Sequence, residues 1–403
     1  MSSPFGLYIH LPFCESKCHY CNFASGVYPQ SLVAPYLQAL KREILNIEAI
    51  AAQVGILFEE ITSSQVDTIY FGGGTPSFIA GEEILALMRL LQQVFQIAAS
   101  PEVTIEVNPG SVDFDKIDHY LEAGINRVSI GMQTFQDDLL KRIGRSHRVK
   151  DALNTFELFR KRELANISVD VMAGLPGQTA ADWQENLETV VRLGPEHVST
   201  YMLEIHQNTQ FGKMYSRSSS GEPQVDEDGP AEQLPPEDLV ERFYLDSIHY
   251  FEGQGYCQYE ISNFAKPGYE SRHNLKYWTG KPYLGLGCSA HSCFSGKRWE
   301  NERSVGRYIQ LIQSQTHAIE SHSDLSARER REEAIFLGLR LISGLDLVQF
   351  RENFGTSFTE RYRKPLEYLQ EGELIELSAD HLRLTPKGHL LSNEVFTELL
   401  RQD

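Results

Sequence analysis

The strongest constraint on this chain is a repeated alternation. Short runs rich in β-branched and aromatic residues are each followed by a longer stretch with helical periodicity. Strands are predicted at Leu7–His10, Val66–Phe71, Val103–Val107, Arg127–Gly131, Ser168–Met172 and His197–Met202. Helical spacing fits Leu32–Val54, Glu82–Phe95, Asp115–Ala123, Val149–Lys161, Ala180–Arg192 and Glu237–Glu252. A helix returning the chain to the same end of the sheet forces parallel pairing, and right-handed crossovers curl that sheet toward a barrel. A closed barrel needs eight such units, typically in ~250 residues. The repeats found here give an α/β fold with a partial (β/α)6 barrel over residues 1–260, open on one side.

The remainder reads differently. Residues 216–236 (SRSSSGEPQVDEDGPAEQLPP) are acidic and rich in Gly, Pro and Ser, the signature of a flexible surface loop. A connecting segment spans 261–320. Residues 321–403 predict an α+β domain of winged-helix-like pattern: a helix at Ala327–Leu341, two shorter helices, a hairpin of Leu374–Leu377 and Leu382–Leu384, and a last helix after Pro386. Its candidate recognition helix, Phe358–Gln370, mixes Arg361, Arg363 and Lys364 with Glu360 and Glu367. With 37 basic against 55 acidic residues and a net charge of −18, no nucleic-acid partner is expected, and the domain reads as a packing and lid element. The amino terminus carries no signal-peptide pattern and no apolar run approaches a membrane span, so a cytoplasmic location with reduced thiols is expected.

In parallel βα folds the chemistry collects at the carboxyl ends of the strands. Here strand one exits into His10 and Cys14, and strand two into Gly72, Gly73, Gly74, Thr75 and Pro76. Strand three carries Glu106, Asn108 and Pro109, and strand four leads to Gln133 and Arg145. Strand five holds Asp170 ahead of Gly174–Gly177, and strand six ends near Tyr201 and Glu204. One shared site is the simplest account of such repetition.

Cys14, Cys18 and Cys21 form a C-x₃-C-x₂-C loop. Clustered thiolates suit either an iron–sulfur cluster, with one iron left open to a chelating small molecule, or a structural zinc completed by His10 or His19. A glycine triplet permits close backbone approach, and its N–H groups could receive a carboxylate. Glu106, Gln133, Arg145 and Asp170 could hold an amino group, a ribose and a second carboxylate, or could be barrel-top ion pairs. A further group, Cys288, His291 and Cys293, reads as core, since cysteine is commonly buried.

With its aromatic Tyr20 before the last cysteine, the loop resembles that of the radical S-adenosylmethionine (SAM) superfamily. Tyr8–Cys14 (YIHLPFC), Gly72–Pro76 (GGGTP), Ser129–Phe135 (SIGMQTF) and Asp170–Pro176 (DVMAGLP) resemble the oxygen-independent coproporphyrinogen-III oxidase family over nearly the whole chain. The resemblance implies a [4Fe–4S] cluster on Cys14, Cys18 and Cys21. It implies SAM contacts from Tyr8, Tyr20, Gly73, Gly74, Thr75, Glu106, Gln133, Arg145 and Asp170. It also implies reductive cleavage of SAM to a 5′-deoxyadenosyl radical.

Two features bear on the branch. The oxidases carry a further cysteine two residues beyond the third ligand, where this chain has Phe23. The haem-chaperone branch carries an H-N-x-x-Y-W motif, which stands here as His273, Asn274, Tyr277 and Trp278. An imidazole with flat aromatic neighbours suits haem, although the same residues would serve as packing and hydrogen-bonding groups under the barrel. The likeness therefore implies haem as a further cofactor or cargo, passed to a haem-accepting protein such as a membrane respiratory enzyme, with the protein cytoplasmic or peripheral at the membrane. The electron donor is unassigned. The alternatives are radical decarboxylation of coproporphyrinogen III to protoporphyrinogen IX and a zinc-containing interaction module without catalysis.

Overall fold

The computed structural model describes residues 3–215 and 233–401, so most of the predicted acidic loop lies outside the described residues. Six strands pair in parallel in chain order: β1 (Phe5–Leu11), β2 (Gln65–Gly73), β3 (Gln96–Val107), β4 (Arg127–Gln133), β5 (Ile167–Ala173) and β6 (His197–Met202). Each sits where the β-branched runs place it. The long predicted helix Leu32–Val54 breaks at Asn46 into Val33–Leu45 and Ile47–Val54.

The connecting segment supplies more sheet than its sequence suggests. β7 (Cys257–Glu260) and β8 (Asn263–Ala265) add antiparallel beyond β6. β9 (Tyr283–Leu286) pairs parallel with β1, and β10 (His291–Phe294), β11 (Lys297–Asn301) and β12 (Ile319–Asp324) continue antiparallel from it. Among the described residues the result is one twelve-stranded sheet with β12 and β7 at its edges, a partial barrel and not a closed one.

Period-two alternation divides the strands between two environments. Phe5, Leu7, Ile9 and Leu11 of β1, Ile69 and Phe71 of β2, Val103, Ile105 and Val107 of β3, and Val128, Ile130 and Met132 of β4 pack in the core with the surrounding helices. The intervening positions are Tyr8, Thr68, Tyr70, Thr104, Glu106, Arg127, Ser129, Ser168, Asp170, His197 and Ser199, so the concave face is polar. A sheet interior filled only for stability would be apolar. This one is lined for chemistry.

The helix Arg272–Trp278 closes the amino end of the strands. Ser271 caps it by accepting from Asn274 N, while Glu102 of β3 accepts from the backbone N–H groups of Arg272 and His273. Buried Lys276 reaches the carbonyl of Pro4 and pairs with Asp67 at 2.6 Å. Beyond it, residues 325–401 form their own apolar core around Ile335, Phe350, Leu366 and Leu382. They also carry a small sheet of β13 (Leu345–Asp346), β14 (Ile375–Leu377) and β15 (His381–Leu384) in the order β13-β15-β14. The expected hairpin is β14 with β15, and the predicted recognition helix is two short helices meeting at Tyr362. The domain is tied to the barrel by reciprocal backbone bonds, Ile261 N to Arg340 O and Ile342 N to Tyr259 O.

Candidate functional site

The cysteine loop leaves β1 and is pinned at both ends. Cys14 N donates to Gly26 O, and Gly26 N to Pro12 O, so the loop returns to its own start. Lys17 Nζ ties it from within, donating to the carbonyls of Phe23 and Ser25. His10 bonds Ala24 O through Nε2 and the Tyr8 hydroxyl through Nδ1. His19 bonds Arg142 O through Nδ1. Both imidazoles are thus structural struts of the loop.

All three cysteines are free and half-buried. Burial pushes the Cys14 thiol up, with Thr75 and Ser25 opposing the shift by hydrogen bonding. The three sulfurs do not all lie within 4.8 Å of one another; among the described residues the group that does is Glu82, Asp115 and His119, on the helical surface. Tetrahedral zinc with bonds of ~2.3 Å needs sulfur separations of about 3.8 Å. The loop therefore fits a multinuclear cluster, whose ligands stand farther apart, better than a single ion. His10 has both ring nitrogens engaged and is not available as a fourth zinc ligand.

The glycine triplet packs the exit of β2 against the exit of β1. A Cβ on Gly74 would lie 2.8 Å from Phe13 O, and one on Gly73 (φ 112°) would lie 2.5 Å from the His10 ring. Gly74 N donates to Leu11 O, Thr75 N to Phe13 O, and Gly73 N to Glu106 Oε2 at 3.1 Å. These amides, which the sequence offers to a carboxylate ligand, are already donating within the protein. The glycines instead bring Thr75 beside Cys14 and leave Glu106 facing the concave side.

Glu106 also accepts from the Tyr70 hydroxyl at 2.9 Å. Burial, aided by the neighbouring Asp170, pushes its carboxyl up to about 7. Asp170 is likewise raised by burial, while Ser129 donates to both of its oxygens. Two carboxylates facing one low-dielectric cavity each disfavour the other's charge, so the pair is suited to receive a cation.

At the end of β4, Gln133 adopts φ 69°, a left-handed conformation that costs a non-glycine residue energy and is concentrated at functional sites. Its amide and the Arg145 guanidinium both pass over Gly131, where a Cβ would lie 2.9 and 3.2 Å from them. Arg145 donates to Asn108 Oδ1 and to the Tyr20 hydroxyl, while its buried Nε finds no partner. Tyr20 packs against an apolar group of Leu139, Ile143, Met172, Leu175 and Phe211 beside the cysteine loop.

The structure thus gathers Cys14, Cys18, Cys21, Tyr8, Tyr20, Gly73, Gly74, Thr75, Glu106, Gln133, Arg145 and Asp170 at one rim. Glu204 is outside it, exposed and paired with His206. Ser129 and Asn108, which the sequence places in the SIGMQTF segment and at the end of strand three, orient these groups together with Tyr70, whose only signal is a polar residue at an alternate position of an otherwise apolar strand.

The other predicted group lies at the opposite end. His273 is 1% exposed, with Nδ1 bonded to Thr68 Oγ1 and Nε2 to the Tyr277 hydroxyl, both at 2.9 Å. Burial, and then the nearby Lys276 charge, lowers its pKa to about 3, so the ring is neutral. Asn274 and Trp278 are half-buried, and the Trp278 ring carries the Arg340 guanidinium at 4.5 Å. A cleft of about 510 Å³ runs beside this helix, lined by Leu275, Thr279, Tyr259, Leu341, Ile342 and Arg383 among others. Cys288 is buried with its thiol pushed up to about 12, whereas His291 is exposed and pairs with Glu300. With Cys293 they form no ligand group.

Family models match in two places: the radical SAM superfamily over residues 8–190 and the HemN C-terminal domain over residues 325–391. The heme chaperone HemW of Bacillus subtilis (strain 168) is 37% identical over 394 residues, covering 98% of each chain. That of Escherichia coli (strain K12) is 32% identical over 404 residues, covering 99% of each. Among solved structures, the coproporphyrinogen III oxidase HemN of Escherichia coli superposes with a TM-score of 0.81 at 22% identity, over 99% of this chain and 90% of that one, a shared fold.

Proposed function

Because the chain belongs to the radical SAM superfamily, in the family of the heme chaperone HemW, we propose that it binds haem and passes it to an acceptor protein, with a [4Fe–4S] cluster and SAM held at the rim. The observation that carries this reading is the extent of the likeness. It runs through 98% of the chain, the rim, the motif helix and the carboxy-terminal domain alike.

At the rim, Cys14, Cys18 and Cys21 would ligate the cluster. Tyr8, Tyr20, Gly73, Gly74, Thr75, Glu106, Gln133, Arg145 and Asp170 would surround SAM. When bound, the cluster and SAM supply one-electron chemistry. The chain's own part is positioning: Glu106 and Asp170 offer negative charge to the ammonium and ribose hydroxyls, Arg145 sets the Tyr20 edge of the site, and the apolar group around Phe211 keeps water from the loop.

For haem, His273, Asn274, Tyr277 and Trp278 are the proposed contacts. Trp278 and the adjoining cleft give a flat ring apolar surface, with Arg383 nearby for a carboxylate substituent. His273 would reach an iron only by releasing Tyr277 from Nε2 or Thr68 from Nδ1. The proposed acceptor is a membrane respiratory enzyme met from the cytoplasmic side; no helix among the described residues is long and apolar enough to cross a membrane.

The test is haem titration of anaerobically reconstituted protein. A stoichiometric Soret band supports the reading, and its absence ends it. The second reading, coproporphyrinogen oxidase, draws on the HemN fold. An anaerobic assay with SAM and reductant decides it by whether protoporphyrinogen forms. Phe23, 68% exposed where that enzyme group has cysteine, favours no turnover.

A further inference from the structure

The two ends of the barrel are joined by one column of side chains. The His273 ring stacks on Tyr70 with centroids 5.1 Å apart and planes at 29°. Tyr70 in turn donates to Glu106, and Glu106 accepts from Gly73 N. A branch runs beside it: Tyr8 stacks on Tyr70 at 6.2 Å and 27°, bonds His10, and so meets the cysteine loop at Ala24. No link is loose. His273 is fixed from behind by Thr68, Tyr277 and the Glu102 carboxylate under its backbone N–H. Gly6 makes room for the ring, since a Cβ there would lie 3.1 Å from its Cε1 and 2.8 Å from Thr68 Oγ1.

We propose that His273 is a positioning residue of the SAM site. By holding the Tyr70 ring it orients the Tyr70 hydroxyl, which fixes the Glu106 carboxylate that faces the ligand and anchors Gly73. His273 does not touch the ligand; it acts through Tyr70. Any event that displaces the motif helix must therefore change SAM affinity, and SAM must by reciprocity change the energetics of that event. The inference rests on the SAM site proposed above.

The experiment compares Tyr70→Phe, which keeps the stacked ring and removes one hydroxyl, with His273→Ala, which removes the ring stacked on Tyr70, and His273→Phe, which keeps a ring there. Two readings are taken: SAM affinity of cluster-loaded protein by equilibrium dialysis, and hydrogen exchange of the Gly73 amide without ligand. Loss of one link should weaken SAM binding about five- to tenfold in Tyr70→Phe and His273→Ala, with faster Gly73 exchange in both. His273→Phe, whose ring can still stack on Tyr70, should recover part of the loss. The double variant Tyr70→Phe/His273→Ala should be little worse than either alone, because both interrupt one column. Wild-type affinity and exchange in folded Tyr70→Phe or in folded His273→Ala overturn the proposal. Should His273→Ala melt at low temperature, Tyr277→Phe replaces it, with an expected weakening of about two- to threefold. Wild-type protein that fails to bind SAM overturns the site itself, a different result from unchanged variants of a binding protein.

Discussion

The rim and the floor of this barrel are made by the same strands yet built in opposite ways. At the rim, side chains are presented by loops, one backbone is left-handed at Gln133, Arg145 keeps an unpartnered nitrogen, and Glu106 is poised near neutrality. At the floor, one capped helix supplies His273 and Lys276, each with its polar atoms engaged: Thr68 and Tyr277 for one, Asp67 and Pro4 for the other. Strain and unfilled hydrogen-bonding capacity are tolerated where a ligand supplies the missing partners. His273 and Lys276 are satisfied within the protein, while on the same helix Trp278 Nε1, at the proposed haem surface, is buried without a partner. The difference teaches that a motif conspicuous in sequence need not present its most conspicuous atom: the imidazole of H-N-x-x-Y-W is spent inside the barrel.

The largest effect that would sharpen this contrast is at the rim. Cys18→Ala should lower iron and sulfide from about four each to near zero after reconstitution, with little change in the melting temperature, since the half-buried loop is held by backbone bonds and Lys17. A collapse of the fold on cysteine removal would break it. The floor should behave conversely. Lys276→Ala takes the 2.6 Å partner from Asp67 and leaves it only Arg272 at 3.7 Å, which should cost about 1–3 kcal/mol in denaturant unfolding, while cluster loading under native conditions is preserved.

A pH series separates the two ends further. The Glu106 carboxyl titrates at about 7, above its ordinary 4.5, so it favours the folded free protein at low pH, and this contribution is lost as pH rises through 7. SAM affinity should move the opposite way, falling up to about tenfold per unit below pH 7, because the incoming ammonium meets a protonated acid. Glu106→Gln should remove that slope in a dialysis series. On the other side of the barrel, Trp278→Ala should weaken haem binding several-fold in a Soret titration while leaving SAM affinity within about twofold. Equal losses of both ligands would erase the distinction between the ends. Smallest of all, Phe23→Ala should shift stability by no more than about 0.5 kcal/mol, since its ring is exposed.

Much of this was readable in one dimension. The six parallel strands follow from β-branched runs, and the candidate metal loop from three cysteines within eight residues. The outer strands were not, because β7, β8 and β10 have only three or four residues and β12 (Ile319–Asp324) is mostly exposed. Strands that short and polar show no apolar periodicity. The glycine triplet was legible as a site of close approach, but its amides turned out to be donors to Leu11, Phe13 and Glu106.

What the sequence by itself determined is what depends on near neighbours: alternation that puts apolar residues outward and polar ones inward, and the cysteine spacing. What the tertiary structure alone decided is which polar residues meet. His273 and Thr68 are 205 positions apart, and Tyr20 and Arg145 are 125 apart. Such pairings are set by how the strands register and how the helix seats across them, and no local spacing encodes that geometry.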